Sequence, residues 1–339
     1  MRVLVVDDEE MAREMLSNAL SASGYEVTTA SNGAEAWELL QRVPFRIVIS
    51  DWEMPEMTGP ELCREVRGSE TLGYVYFVLV TSRNRTEDLV TGLEAGADDF
   101  ICKPFEPSEL TARIRSGERI VSLETRDLTI FAMAKLAESR DTDTGAHLER
   151  VRQYSRTLAR QLFDTGQFKS ELNPSFCHLI YLTSPLHDIG KVAIPDFVLL
   201  KPGRLSDREF EIMKTHAATG AETLEAALHE HPGVAFLQMA RDIAASHHER
   251  VDGGGYPGGL TGDDIPLCGR IVAVADVYDA LTSKRAYKDA FTHDVAVGII
   301  NDESGTHFDT RLVDAMKEVL DEFNEIRRLY QDESGAIAA

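Results

Sequence analysis

The 339-residue chain lacks any apolar run approaching the ~18–20 residues that span a bilayer. It has only four cysteines, Cys63, Cys102, Cys177 and Cys268, far apart and without a CxxC pair. That excludes a cysteine zinc site and argues against a disulfide framework, so a reducing cytosol is the expected setting. Cations are also scarce: 35 Lys and Arg face 57 Asp and Glu, a formal net charge of −22. An unselective grip on nucleic acid needs an excess of cations and is disfavoured, whereas a polyanionic substrate remains open to a locally basic pocket. The opening MRVLVVDDEE runs straight into acid, unlike a signal peptide. What is present, 43% hydrophobic and 27% charged residues, is ordinary for globular protein, and the length favours two domains.

Residues 1–106 alternate short β-rich runs (2–6, 26–30, 45–50, 75–80, 99–102) with helical stretches, broken at Asn32-Gly33, Met57-Thr58-Gly59 and Gly96. Five strands separated by helices read as an α/β, doubly wound five-stranded parallel sheet, with ligands expected at the carboxyl ends of the strands. From Pro107 to about Arg140 the pattern is helical, with Leu110, Ile114, Val121 and Leu128 at spacings of four and seven. The first half of that helix is expected to pack on its own domain, and the second to connect domains and offer a homodimer seam. Residues 141–330 have helical periodicity, broken by the glycine-rich 252–262, and read as an all-α domain. The expected division is 1–118, a helical linker 119–140, 141–330 and a frayed tail 331–339.

In the first half, strand ends carry Asp7-Asp8, Asp51 and Thr81, and the last strand leads to Lys103-Pro104. Three carboxylates on one sheet edge repel one another unless a divalent cation joins them, and an oxygen-rich site suits Mg²⁺. A lysine and a hydroxyl beside a metal-held carboxylate can stabilise a phosphoryl group on it. Alternatively each Asp is a helix N-cap. The stretches VLVVDDEE, VISDWEMPEMTG, VLVTS and DDFICKPF resemble a response-regulator receiver domain over about residues 1–118. The resemblance implies that Asp51 accepts phosphate from a sensor histidine kinase. It also implies that Asp7, Asp8, Asp51 and the Glu53 carbonyl hold Mg²⁺, that Thr81 and Phe100 switch, and that Lys103 binds the phosphoryl group.

In the second half, His147, His187, His216, His247 and His248 lie close to acids. Asp143 and His147 are four apart and share a helix face. Asp276 sits in the apolar run IVAVADVYDAL, where a buried charge needs a partner or a metal. Neutral imidazoles with carboxylates make a mixed N/O site that suits Fe or Mn, and Zn less specifically. Two ions sharing a carboxylate can generate a nucleophile and clamp both oxygens of an in-line phosphoryl displacement. Lys191, Lys201, Arg204 and Lys214 add cations, and Arg285 and Lys288, three apart, can neutralise phosphate. In the glycine loop, Gly253, Gly254 and Gly255 permit close backbone approach to a ligand, and Tyr256 can stack on a base.

The motifs DTGAHLERV, LHDIGKVAIPD, LLKPGRLSDREFEIMKTH, HHERVDGGGYP and GRIVAVADVYDALTSKRAYK resemble an HD-GYP domain, a branch of the HD phosphohydrolase superfamily, over roughly residues 123–319. The resemblance implies an all-α HD-type fold with His147, His187, Asp188 and Asp276 on one metal and Asp188 bridging. His216, His247 and His248 would complete the second site, and Lys191 would assist catalysis. Asp252, Gly255, Tyr256, Arg285 and Lys288 would meet substrate. The implied reaction is hydrolysis of cyclic di-GMP to pGpG, and in some members on to GMP. Members with three metals typically carry a longer Glu where Asp143 stands, so two ions are expected, with a third as the alternative. A different reading is an output module that binds cyclic di-GMP or partner proteins around structural metals. No membrane partner and no direct nucleic-acid binding are expected.

Overall fold

The computed structural model describes residues 1–69, 74–82, 86–140, 146–284 and 290–330, with backbone alone at 86–89 and 123–126. Two compact units are present, Met1–Leu128 and Thr129–Ala339. Among the described residues no helix is long and apolar enough to cross a membrane.

In the first unit, β1 (Arg2–Val6), β2 (Glu26–Ala30), β3 (Ile47–Asp51), β4 (Tyr76–Thr81) and β5 (Asp99–Cys102) alternate with α1 (Glu10–Ala22), α2 (Gly33–Arg42), α3 (Gly59–Gly68), α4 (Thr86–Glu94) and α5 (Pro107–Glu138). The sheet is parallel throughout in the order β2-β1-β3-β4-β5, as the strand and helix alternation implied. Neighbouring side chains along a strand point to opposite faces. Leu4, Val6, Val48, Phe77 and Leu79 therefore fill one core, while Val3, Val5, Ile47, Ile49, Val78 and Val80 fill the other. Covered faces on both sides explain why RVLVV and YFVLVT are continuously apolar. The register pairs Val6 with Ser50, Asp51 with Val80 and Thr81 with Cys102, which brings the strand ends to one edge.

Leu110, Ile114 and Val121 of α5 join the second of these cores. Leu128 does not continue their stripe: it is 60% exposed, as Met133 and Leu136 are at 62% and 72%. The division between the two units falls inside this one helix.

The second unit contains α6 (Ala146–Asp164), α7 (Pro174–Thr183), α8 (Asp196–Leu199), α9 (Asp207–Glu230), α10 (Ala235–Ser246), α11 (Leu267–Thr282), α12 (His293–Asp302), α13 (Thr310–Lys317) and α14 (Leu320–Leu329). Among its described residues there is no strand, only the isolated bridges Asp252–Thr261 and Ser304–Phe308. Helix α11 is buried around most of its circumference, the expected fate of an apolar run without a polar face. Its Tyr278 meets Tyr154 of α6 and Phe323 of α14 with ring centroids 5.0 and 5.2 Å away. This aromatic core holds α6 and α11 side by side, and those two helices supply His147 and Asp276 to the site described next. A capping box of Ser206 and Glu209 starts α9, which brings in His216.

Candidate functional site

At the edge of the sheet, Asp7, Asp8, Asp51, Glu53, Thr81, Ser82 and Lys103 line a pocket of about 300 Å³. Asp7 and Asp8 are not caps, because α1 starts after Glu9, and α3 is capped by Thr58 rather than by Asp51. Lys103 Nζ lies 2.5 Å from Asp51 Oδ1 and 3.0 Å from Asp7 Oδ2. Burial pushes the Asp51 carboxyl above its ordinary range, and the neighbouring Asp7 adds to this, with Lys103 opposing both. Asp51 Oδ2 accepts the Glu53 backbone N–H at 3.1 Å. Thr81 is buried at the end of β4, and Phe100 is half-buried against the α2–α3 face of the sheet. Three carboxylates around one ammonium leave net negative charge, which a hard divalent cation with oxygen ligands fits.

The second unit gathers seven of the expected ligands into two groups. Asp188, His216, His247 and His248 place donor atoms within 4.8 Å of one another, and so do His147, His187 and Asp276. They come from five places in the chain: the first turn of α6, the junction between the short 3-10 turns Ser184–Leu186 and Ile189–Ala193, α9, the residues after α10, and α11. Gly190 makes one approach possible, since a Cβ there would lie 2.0 Å from the His216 carbonyl oxygen. Asp188 faces both groups: its Oδ2 is 3.3 Å from His187 Nε2, and its Oδ1 is 3.1 Å from His216 Nε2 and 3.7 Å from His247 Nε2.

The tautomers are set from outside. Nδ1 of His187 donates to Ser184 O at 2.8 Å, Nδ1 of His216 to Met213 O at 2.7 Å, and Nδ1 of His247 to Ile243 O at 3.1 Å. His147 Nδ1 meets Asp279 Oδ2 at 2.7 Å. Each bond leaves an Nε2 lone pair facing the cluster, the arrangement by which outer partners orient metal-binding histidines. His187 Nε2 and Asp188 Oδ1 are buried, and among the described residues no well-directed hydrogen bond satisfies either. Burial holds His247 below its ordinary range and His248 well below it, so both are neutral, as ligands must be. Burial disfavours ionised Asp188, yet Lys191 and His187 hold its carboxyl well below the usual range. For His147 burial opposes the cation, but Asp279, Asp276 and Glu138 outweigh it and push it up to about 9. A metal there displaces that proton. Neutral nitrogens, an ionised shared carboxylate and orphaned buried donors together fit divalent ions.

Lys191 Nζ lies 2.8 Å from Asp188 Oδ2. Lys201 and Lys214 instead pair with Glu209 at 2.5 Å and Glu211 at 2.6 Å. Asp143, Arg285 and Lys288 lie outside the described residues, as does the tail 331–339.

The glycine loop differs from its expected use. A Cβ on Gly255 would meet Arg250 N at 2.4 Å and Glu249 Cα at 2.5 Å, so its close approach is to the chain's own backbone rather than to a ligand. Asp252 is occupied by Arg250 Nη2 at 3.0 Å and by the Gly254 N–H at 2.8 Å, an internal turn rather than an open contact. Tyr256 is half-buried and lays its ring on His248, centroids 4.6 Å apart. That ring is thereby committed to His248.

Sequence reasoning missed three side chains here. Asp279 is 1% exposed and is held by Arg150 Nε at 2.5 Å. Buried Glu249 accepts the N–H groups of Gly258 at 2.6 Å and Leu260 at 3.0 Å, pinning the loop from within. Glu138 ends α5 with its Oε1 3.9 Å from His147 Nε2. Only Asp279 left a trace in the sequence: it shares the apolar run in which Asp276 stood out.

Comparison with known proteins gives two family matches, an HD domain over residues 132–312 and a response regulator receiver domain over residues 3–115. A Vibrio cholerae protein named probable cyclic di-GMP phosphodiesterase is 37% identical over 360 residues, covering 99% of this chain and 81% of its own. The cyclic di-GMP phosphodiesterase response regulator RpfG of Xanthomonas campestris is 37% identical over 343 residues, covering 93% of this chain and 87% of its own. A second Vibrio cholerae protein, named 3'3'-cGAMP-specific phosphodiesterase 2, is 42% identical over 312 residues, 90% of this chain but 56% of its own.

Proposed function

The chain belongs to the HD-domain family, with a response regulator receiver domain ahead of the HD domain, and from that membership we propose that it hydrolyses cyclic di-GMP to pGpG under control of phosphorylation at Asp51. The observation that carries this reading is the pair of donor groups sharing Asp188. Divalent ions, Fe or Mn for this N/O set, supply a nucleophile from water at neutral pH and clamp the phosphoryl oxygens when bound.

His147, His187 and Asp276 would hold one ion and His216, His247 and His248 the other, with Asp188, whose two oxygens face the two groups, placed to serve both. A third ion would draw on Asp143. Lys191, held on Asp188, orients the attacking group and stabilises charge on the leaving oxygen. Arg285 and Lys288 neutralise the phosphates, and Tyr256, over whose ring Lys214 Nζ lies 5.7 Å from the centroid, meets a base. The occupied carboxylate of Asp252 and the packed Gly255 serve substrate indirectly, by holding the loop that carries Tyr256.

In the receiver, Asp7, Asp8, Asp51 and the Glu53 carbonyl would hold Mg²⁺, Lys103 would bind the phosphoryl oxygens, and Thr81 and Phe100 would respond. The donor is a sensor histidine kinase. The exposed Leu128, Met133 and Leu136 of α5 offer a homodimer seam.

A closed structural site needs only four donors around one ion. Two groups sharing a carboxylate, with a lysine on that carboxylate, favour turnover over a binding-only output. The test is anaerobic reconstitution with Fe²⁺ or Mn²⁺, followed by assays on cyclic di-GMP and 3'3'-cGAMP. Conversion of cyclic di-GMP is expected. Stoichiometric binding of metal and nucleotide without product would make the domain a binding module, and preference for 3'3'-cGAMP would reassign the substrate.

A further inference from the structure

We propose that Arg140, two residues beyond α5, is a positioning residue for turnover: it clamps the chain that follows Lys191 and so keeps the Lys191 ammonium on Asp188. This role rests on the reading of Lys191 as the cation that assists the reaction, and places its support outside the metal cluster.

The segment that carries Lys191 is anchored at both ends. Asp188 leads into the 3-10 turn Ile189–Ala193, where Lys191 N donates to Asp188 O at 2.9 Å and Ile194 N donates to Lys191 O at 3.0 Å. Before Lys191, Leu186 and Ile189 pack with Ile130, Phe131 and Ala134 of α5. After it, Ile194 is buried with Val198 and Leu199 against Ile212 and Met213 of α9. Between these anchors Val192 is 50% exposed, so apolar packing does not fix the residue next to Lys191.

Arg140 supplies what packing does not. Its guanidinium donates to Val192 O through Nη1, and through Nη2 to Ile194 O at 3.4 Å and Asp196 Oδ1 at 2.5 Å. A planar fork holds several acceptors in one geometry, unlike the point charge of a lysine on its flexible stem. The Arg140–Asp196 pair lies at the surface, where an ion pair adds little stability by itself. The clamp therefore fixes direction more than it holds the fold together. The backbone leaving Lys191 is tied on one side while its ammonium meets Asp188 Oδ2 at 2.8 Å. Misplacing a reacting group by about 1 Å can cost roughly a hundredfold in rate.

Arg140→Ala, Arg140→Lys, Lys191→Ala and the double variant of the two alanine changes would be made in the full chain and loaded with Mn²⁺. Metal content, kcat and KM for cyclic di-GMP, and amide exchange at Lys191 and Ile194 would be measured. Arg140→Ala should keep its metals and hold KM within about twofold, while kcat falls about ten- to a hundredfold. Both amides should exchange at least about tenfold faster, and Arg140→Lys should recover part of kcat. The double variant should be no slower than Lys191→Ala, because a residue that acts through Lys191 then has nothing left to position. A double variant slower than Lys191→Ala overturns the proposal, as does unchanged kcat or unchanged exchange in Arg140→Ala. Metal lost together with kcat also overturns it, since Arg140 then supports the ligands rather than Lys191. If the metal-loaded parent leaves cyclic di-GMP intact, the functional reading fails, and the exchange comparison still decides whether Arg140 fixes the turn. Should Arg140→Ala melt well below the parent, Arg140→Gln carries the same comparison.

Discussion

The two units hold their key carboxylates in opposite ways. In the receiver, Asp51 shares one lysine with Asp7 at the rim of a pocket, and half of the pocket's other lining residues are acids. In the second unit, Asp188 lies beneath three imidazoles whose far nitrogens are tied to carbonyls of the chain itself. The first arrangement suits a group that gains and loses charge, because a lysine can follow a phosphoryl group and let it go. The second suits a charge held continuously, since each imidazole is fixed before any ion arrives. A site for exchange and a site for retention thus use the same residue type, and the surroundings decide which.

Substitutions can break or sharpen this contrast. Asp188→Ala should cause the largest change, loss of at least one metal per chain together with turnover; elemental analysis showing full occupancy with full activity would end the bridging assignment. Asp51→Asn should abolish labelling by a small phosphodonor while metal content in the second unit stays at the parent's level. Labelling that persists would move the phosphorylation site. Asp279→Asn probes the outer layer: metal affinity should fall about ten- to a hundredfold, and loss of the charge that Arg150 bonds, with its contacts to Tyr330 O and Ser283 Oγ kept, should lower stability by about 1–3 kcal/mol, read by chelator competition and denaturant unfolding. Glu249→Gln should have the smallest effect. It keeps one acceptor and loses the charge, so the loop should loosen by about 1–3 kcal/mol, visible as faster amide exchange at Gly258 and Leu260 with metals retained.

Much of this was readable in the chain because it is local. Continuous β-branched runs mark strands covered on both faces, and the acids at their ends fall on one edge whatever the sheet order. The histidines stood out because His-Asp and His-His pairs are rare in solvated helices. What was not readable depends on distance. His147 and Asp279 are 132 residues apart, and in sequence Asp279 is one more acid in a helix. Glu138 and Glu249 likewise look like ordinary surface residues until folding buries them. Gly255 was readable as a required glycine but for another reason: pattern cannot distinguish backbone approaching a ligand from backbone approaching itself.

The unsatisfied pair His187 Nε2 and Asp188 Oδ1 has a consequence for the cell as well as for chemistry. A core with such a gap would be completed by bound ions, so a divalent metal would act on this unit as a folding ligand. At a thousandfold excess over its dissociation constant, one ion adds about 4 kcal/mol to stability. A shift of about 1–2 kcal/mol already changes protein abundance several-fold through proteolysis. Starvation for that metal would then thin out the protein before it slowed the survivors, and the cell's metal supply would set the copy number of the enzyme independently of any signal arriving at Asp51.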